Sequence, residues 1–451
     1  MIAAETNTAT EAYAGHRQPK ITMIGAGGVT FPLRLMGDLL SFPALQGAQY
    51  SLMDIDLGRA ERNAAWAREV VTHYGFGATV EATDDRRAAL DGADFVIITF
   101  MVGGVDVYRG DMEIPRKYGV DQRIGDTLGP GGVFRFLRNV PALTDIAADM
   151  HEVCPNATLI NYANPMVMNC WYLEALGIRT VGLCHSVQGT SKMLADFIDV
   201  AYDDVSFRCG GVNHQAWFTE FRRGDEDLYP RIREVMNAKY IEQDLQDRGI
   251  WGGERVRTEI MNAFGLFHTE SSPHASEYLP YFRKNDERSE RYSTFRWSFD
   301  DVKRRNEERQ VDRSLVDSLI ATLEPSHEYG AWIVNATVSG QSTVIYGNVP
   351  NDGLIDNLPS DCCVEVACLV DRNGVQPTHF GALPPQCAAV NQTNINVQRL
   401  AVRAALTGEK AHVYHAIMLD PLTAAICTLD EIRSMTDELF AANEGWLPEL
   451  G

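Results

Sequence analysis

Hydrophobic and polar positions follow two regimes along the chain. From Lys20 to about residue 205, short apolar runs alternate with stretches whose apolar residues recur every three or four positions. The runs Lys20–Ile24, Tyr50–Asp54, Asp94–Phe100, Ala157–Asn161 and Arg179–Cys184 are too short for helices, and turn-forming residues bound most of them. Each reads as a buried strand. Between them, Phe31, Leu33, Leu35, Met36, Leu39 and Leu40 mark one helix, and Phe134, Leu137 and Val140 mark another. Strands alternating with helices predict an α/β fold, a doubly wound parallel sheet.

From about residue 206 the pattern changes. Phe207–Gly211 and Ala216–Phe221 read as strands. Residues 240–312 are charge-rich and helical in places, with Arg255–Phe267 the clearest helix, and Glu270–His274 reads as a loop. Helices near 327–337 and 387–406 flank strand-like runs at 342–347 and 363–370, and two more helices follow in the tail. This is a mixed α+β pattern. No repeat or low-complexity linker separates the halves, so the second is expected to pack on the first. The expected division is a polar, disordered leader over 1–19, one domain over 20–205 and a second over 206–451.

Composition narrows the classes of function. The 451 residues are 45% hydrophobic and 22% charged, as in ordinary globular enzymes. A net charge of −21 argues against nucleic acid and anionic membrane surfaces, which attract basic patches. No apolar run reaches the roughly 18 residues of a membrane span, and the leader has no apolar core of a signal peptide. Nine cysteines in a chain without an export signal point to reduced thiols in the cytoplasm.

Candidate chemistry sits at the predicted strand ends. Gly25-Ala26-Gly27-Gly28 follows the first strand and precedes a helix, the context in which glycines admit a pyrophosphate to a helix N-terminus. Thr30 stands where that fingerprint has Gly or Ala. Asp54 ends the second strand, where a ribose hydroxyl acceptor belongs and where an acid favours NAD over NADP. Asp54 and Asp56 could instead cap the helix that starts near Gly58. Asn164, Cys184 and His185 all lie at strand ends, the side on which open α/β sheets bind ligands. Cys184 and His214 could share a divalent metal with open positions; equally, one is an inert buried thiol and the other a core histidine. No CxxC pair exists, which argues against a structural zinc. Glu270 is a candidate general base or a solvated loop charge, with Tyr278 and Tyr281 as nearby alternatives.

These residues resemble the NAD- and manganese-dependent family 4 glycoside hydrolases, in their α-galactosidase branch. The resemblance is carried by Ile24-Gly-Ala-Gly27, Leu52-Met-Asp-Ile-Asp56, Asp126-Thr-Leu-Gly-Pro-Gly-Gly132, Asn164-Pro165, Val181-Gly-Leu-Cys-His-Ser-Val-Gln-Gly-Thr190, Gly211-Val-Asn-His214 and Thr269-Glu-Ser-Ser272. It continues through Val344-Ile-Tyr-Gly-Asn-Val349 and Asn351-Asp-Gly-Leu-Ile-Asp-Asn-Leu-Pro359. It implies a Rossmann-type sheet of the lactate/malate dehydrogenase kind and a homodimer or homotetramer. Gly25, Ala26, Gly27, Gly28 and Asp54 would hold NAD. Cys184 and His214 would ligate Mn²⁺. Asn164 and His185 would contact the sugar, with His185 as general acid and Glu270, or a tyrosine such as Tyr278, as base. The implied reaction is C3 oxidation, C2 deprotonation, loss of the aglycone, water addition and re-reduction, outside the usual two-carboxylate scheme. An α-glucosidase or α-uronidase of the same family, a hydroxy-acid dehydrogenase and a non-catalytic NAD-binding regulator are the competing readings.

Overall fold

The computed structural model describes residues 17–28, 31–241, 253–292, 299–309 and 311–451. Most of the predicted leader, residues 1–16, and the Thr30 fingerprint position lie outside the described residues. In chain order the first half contains β1 (Lys20–Ile24), α1 (Phe31–Ser41), β2 (Gln49–Met53), α2 (Leu57–Tyr74), β3 (Thr79–Thr83), α3 (Arg86–Leu90) and β4 (Phe95–Ile98). There follow α4 (Gly104–Lys117), α5 (Gly129–Val153), β5 (Thr158–Asn161), α6 (Met166–Ala175), β6 (Thr180–Gly182) and α7 (Ser186–Phe197). The six strands pair in parallel in the order β3-β2-β1-β4-β5-β6. This is the doubly wound arrangement that the alternating pattern predicts.

The reason is visible in β4, whose four residues are all buried. Ile97 points into one apolar layer with Leu35 and Leu39 of α1, while Val96 and Ile98 point into the other with Phe134 and Leu137 of α5. A strand buried on both faces must be a continuous apolar run. Two elements escape that signal. β3 reads TVEAT with one buried residue and is held at the sheet edge by backbone pairing to β2. In α4 the apolar period is broken by Gly110 and Pro115, and burial is made up by Asp111, whose carboxylate takes Arg138 of α5 at 2.7 Å.

The second half continues the same sheet. It contains β7 (Ser206–Val212), β8 (Gln215–Arg223), β9 (Glu226–Asp227), α8 (Tyr229–Ile241), α9 (Arg255–Phe264), α10 (Ser272–Tyr278), α11 (Asp286–Arg291), α12 (Phe299–Arg309) and α13 (Ser314–Ala321). Then come α14 (Tyr329–Ser339), β10 (Thr343–Pro350), β11 (Cys363–Asp371), β12 (Gly374–Pro377), α15 (Pro385–Thr407), α16 (Ala411–Met418), α17 (Pro421–Ala424) and α18 (Leu429–Ala442). β10 lies antiparallel to β6 at Asn348 and Gly182, and β11, β7, β8 and β9 extend the sheet outward. The change of pattern near residue 205 therefore accompanies a change from parallel to antiparallel pairing within one sheet. Two expectations are corrected here. The helix expected over Arg255–Phe267 ends at Phe264, because Gly265 takes a left-handed φ of 92° and closes it. The loop expected over Glu270–His274 turns helical at Ser272, with Pro273 in the first turn, where a missing N–H does no harm.

Candidate active site

Residues that follow β4, β5 and β6 line one cleft. Beside it lies the glycine turn after β1, whose Gly25 carbonyl accepts from the Thr99 hydroxyl at 3.1 Å. Gly25 has φ 88°, and a Cβ there would sit 2.8 Å from the Phe100 amide nitrogen, so neither conformation nor space admits a side chain. The Gly27 N–H donates to Asp54 Oδ2 at 2.8 Å, and the other Asp54 oxygen accepts the Asp56 N–H at 3.0 Å. Asp56, by contrast, caps α2 by accepting from the Arg59 N–H at 3.1 Å. The two acids thus have different employment: Asp56 is the cap, and Asp54 is tied to the turn. The carbonyls of Ala26 and Gly28 are held by the Asn63 amide, at 2.6 and 2.8 Å.

Within the cleft three donors converge. Cys184 follows β6, His214 occupies the tight turn between β7 and β8, and Glu270 precedes α10. His214 Nε2 lies 3.2 Å from Cys184 Sγ and 3.4 Å from Glu270 Oε2, and Glu270 Oε2 is 3.9 Å from the sulfur. The ligand atoms of all three fall within 4.8 Å of one another, and among the described residues this is the cluster of metal-ligating type. His214 and Glu270 both take left-handed backbone conformations, φ 66° and 69°. Such residues cost on the order of 1–3 kcal/mol each and collect at functional sites.

Electrostatics favour a cation among these atoms. Burial pushes the Cys184 thiol up to about 12, and the Glu270 charge adds to the effect. Burial alone would raise Glu270 too, but the charges of His214 and His274 outweigh it and hold the carboxylate at about 2. A buried anion beside a thiol that resists ionisation is the arrangement a divalent ion would relieve, since metal binding takes the thiolate form. Thiolate, imidazole and carboxylate suit a borderline divalent transition metal.

Around the donors lies a shell of orienting groups. The outer nitrogen of His214, Nδ1, meets Thr127 Oγ1 at 3.1 Å and the Tyr278 hydroxyl at 3.0 Å, which turns Nε2 toward the cluster. The same hydroxyl meets His274 Nδ1 at 2.6 Å. Tyr278 is 1% exposed, and burial pushes its phenol well above the usual range. It orients two imidazoles. Tyr281 is half exposed and packs against Phe264 and Phe282. Asn164 Nδ2 donates to Asp126 Oδ2 at 2.8 Å, and both residues line the cleft. Asp126, like His274, escaped the reading of single residues. Burial would raise Asp126, yet His274 and Arg135 hold it at about 2.

His185 stands at the rim, its side chain 59% exposed, with Nε2 bonded to the Glu328 carboxylate. Burial would lower this imidazole, but the Glu328 hydrogen bond and charge raise it to about 9. Glu328 is itself positioned. Its N–H donates to Ser326 Oγ at 3.2 Å, and Asp38 takes both the N–H and the hydroxyl of Ser326 at 2.8 Å. Glu328 lies 143 positions from His185, so no local pattern could flag it. The cleft between these groups holds about 670 Å³ and runs from Phe31 and Thr99 to Cys184, His214, Glu270 and His274.

The chain as a whole has relatives among known proteins. The model of the family 4 glycosyl hydrolases matches residues 20–200, and that of the family 4 glycosyl hydrolase C-terminal domain matches residues 209–423. The chain belongs to glycoside hydrolase family 4. An α-galactosidase of Bacillus subtilis (strain 168) is 41% identical to this family 4 chain, over 95% of it and 99% of the relative. An α-galactosidase of Rhizobium meliloti (strain 1021) is 35% identical, over 95% and 89%. Among solved structures, a 6-phospho-α-glucosidase from gut microorganisms in complex with NAD and Mn²⁺ shares the fold. Its TM-score is 0.79 at 22% identity, over 96% of this chain and all of that one.

Proposed function

We propose that this family 4 enzyme is an α-galactosidase that hydrolyses O-glycosyl bonds with NAD and Mn²⁺ as cofactors. The observation that carries the reading is the Cys184–His214–Glu270 cluster in a cleft also lined by Thr99, whose hydroxyl donates to the Gly25 carbonyl of the glycine turn at 3.1 Å. The choice of sugar is supported by the two α-galactosidase relatives. When bound, the dinucleotide would take up and return a hydride at sugar C3, and the metal would polarise the oxygens carried on C2 and C3.

The chain's own groups then divide the work. Gly25, Ala26, Gly27 and Gly28 let the backbone approach a pyrophosphate, and Asp54 accepts from a ribose hydroxyl. Cys184 and His214 hold the cation. Glu270 has Oε1 on the Ser271 N–H at 3.0 Å and Oε2 turned to the cluster, where it can complete the ligand set or take the C2 proton. Tyr278 keeps His214 in register. Asn164, pinned through its amide to Asp126, presents a carbonyl oxygen to sugar hydroxyls. His185, charged by Glu328, donates to the departing oxygen.

A neutral hexose suits the cleft better than a uronic acid or a sugar phosphate. Among the described residues lining it, Arg257 is the lone Lys or Arg. Its guanidinium is already held by Glu254 and by Thr190 Oγ1 at 2.8 Å. The same reading treats 20–205 as the NAD-binding domain and 206–451 as the substrate, metal and oligomerisation domain. It makes the protein a homodimer or homotetramer, which light scattering checks. It also sets the protein in the cytoplasm, where nine unpaired cysteines stay reduced. No helix of the described residues is long and apolar enough to cross a membrane.

The test is hydrolysis of a panel of nitrophenyl α- and β-glycosides with NAD⁺, Mn²⁺ and reductant each present or withheld. Hydrolysis of the α-galactoside that needs both cofactors and leaves no net NADH is expected. Full activity after chelation and removal of NAD, or steady accumulation of NADH, overturns the reading.

A further inference from the structure

Between α4 and α5 the segment 121–127 is gripped by two buried side chains, one from the end of α10 and one just beyond it. Glu277 is 2% exposed. Its Oε1 accepts the N–H groups of Arg123 and Ile124, and its Oε2 accepts the Gly125 N–H at 2.9 Å. Arg283 is 1% exposed and holds the start of the segment, with Nη2 on Asp121 Oδ2 at 2.6 Å. Burial raises the Glu277 carboxyl, against the three N–H groups and the charge of Arg283. A buried carboxylate is costly unless its oxygens are hydrogen-bonded, and here both are. Gly125 turns the chain with a left-handed φ of 59°, and three consecutive N–H groups point at one acceptor group.

The gripped segment ends in two residues that touch the site. Asp126 Oδ2 takes the Asn164 amide at 2.8 Å. Thr127 Oγ1 donates to the other oxygen, Asp126 Oδ1, at 2.8 Å, and lies 3.1 Å from His214 Nδ1. A hydroxyl has one proton to give. Asp126 stays ionised despite its burial, through His274 and Arg135, so it can only accept, and the Thr127 proton is spent on it. What Thr127 has left for His214 is a lone pair.

That lone pair selects a tautomer. It calls for a proton on Nδ1, and a neutral imidazole protonated there has a bare Nε2. Nε2 is the nitrogen that faces Cys184 Sγ at 3.2 Å and Glu270 Oε2 at 3.4 Å. Only a bare nitrogen binds a cation. The Tyr278 hydroxyl also reaches Nδ1 of His214, at 3.0 Å, but it is shared with Nδ1 of His274 at 2.6 Å. It can donate to one ring and accept from the other in either sense, so alone it leaves the choice open. Thr127 makes the choice, and where Thr127 sits depends on the backbone that Glu277 shapes.

We propose that Glu277 is a positioning residue of the metal site: by holding the 123–127 backbone it sets Thr127 against His214 and so fixes the tautomer that leaves Nε2 free for the cation. The proposal rests on the reading of Cys184 and His214 as metal ligands. Glu277→Gln keeps the shape but puts an amide NH₂ where one oxygen stood, so at least one backbone N–H faces a donor. Thr127→Val keeps the backbone and removes the hydroxyl. Mn²⁺ affinity is measured by titration calorimetry on the full chain with NAD bound. Each variant should lose about tenfold, the lower end for a group behind a ligand, while NAD affinity stays at the wild-type level. The double variant should lose no more than the larger single loss, because both changes act through one contact. Nitrogen NMR of histidine-labelled protein before Mn²⁺ is added, with His214→Ala for assignment, reads the tautomer directly. His214 should carry its proton on Nδ1 in the wild type and lose that preference in both variants. Glu277→Asp, which keeps the charge but draws the oxygens back by one carbon, gives the same reading should the amide variant not fold. Wild-type Mn²⁺ affinity in the Glu277 variants, losses that multiply in the double variant, or a wild-type His214 protonated on Nε2 overturns the proposal. A wild type that binds no Mn²⁺ overturns the metal reading instead, and the positioning role with it.

Discussion

Glu328→Gln is the sharpest test of how the site holds its proton. The substitution keeps the shape of the side chain and an oxygen for His185 Nε2, but removes the negative charge. Burial of His185 lowers its affinity for the proton, so the rise to about 9 depends on Glu328. Without that charge the imidazole should fall back toward its ordinary value of about 6.5. At pH 8, a group with a pKa of 9 is about nine-tenths protonated, and one at 6.5 is about 3% protonated, a ratio of about 30. More than half of the ring meets solvent, which screens the charge, so 30-fold is the upper bound. The sign is definite. Loss of the carboxylate weakens the acid form, so activity should drop on the alkaline side while the acid side changes little. The assay is the pH profile of kcat/KM from about pH 5 to 9.5, on a substrate whose leaving group needs protonation. An activated nitrophenyl leaving group should show a smaller effect in the same variant. If the alkaline limb stays where it was and activity falls equally at every pH, Glu328 has a structural role and does not hold the proton on His185.

The remaining predictions concern the metal donors, the base and stability. Cys184→Ser and His214→Ala should each lose tight Mn²⁺ binding in titration calorimetry while NAD binding persists, because the glycine turn is built on separate elements. Tyr278→Phe should cost roughly 10–100-fold in Mn²⁺ affinity as an orienting group behind a ligand; wild-type affinity would remove it from that role. In D₂O the product sugar should carry deuterium at C2, and Glu270→Gln should suppress that exchange. Exchange that survives in Glu270→Gln but vanishes in Tyr278→Phe or Tyr281→Phe assigns the base to a tyrosine, and wild-type product free of deuterium rejects the elimination route. Asp420 is 1% exposed, and burial raises its carboxyl from 3.8 to about 6 against hydrogen bonds from Thr423. The folded state thus holds this proton more tightly than the unfolded one. Asp420 should lower stability by up to a few kcal/mol as pH rises from about 4 through 6. In chemical denaturation Asp420→Asn should flatten that part of the profile; an unchanged slope would contradict the assignment.

What was legible in the sequence was what depends on neighbours along the chain. The strand runs, the glycine turn with Asp54, and the placement of Asn164, Cys184 and His185 at strand ends all follow from local burial and backbone geometry. A buried strand must be apolar, and a tight turn under a helix must lack side chains. The Cys184–His214 pair was visible as two residue types, but from spacing alone it could not be told from an inert thiol and a core histidine. Only the fold set them 3.2 Å apart with Glu270 beside them. The same holds for Glu328 behind His185, for Asp126 bracing Asn164, and for Tyr278 shared between His214 and His274. Except for His274, which lies four residues before Tyr278, the partners are tens to more than a hundred residues apart, and charge and hydrogen bonding act through space. Periodicity likewise missed β3, a polar edge strand held by backbone bonds, and α4, whose buried face is completed by the Asp111–Arg138 pair. Local sequence reports burial and turn geometry because these constrain one residue at a time. Which distant side chains meet, and so which protons and charges the site holds, is decided when the sheet closes β10 onto β6 and brings the second half over the strand ends.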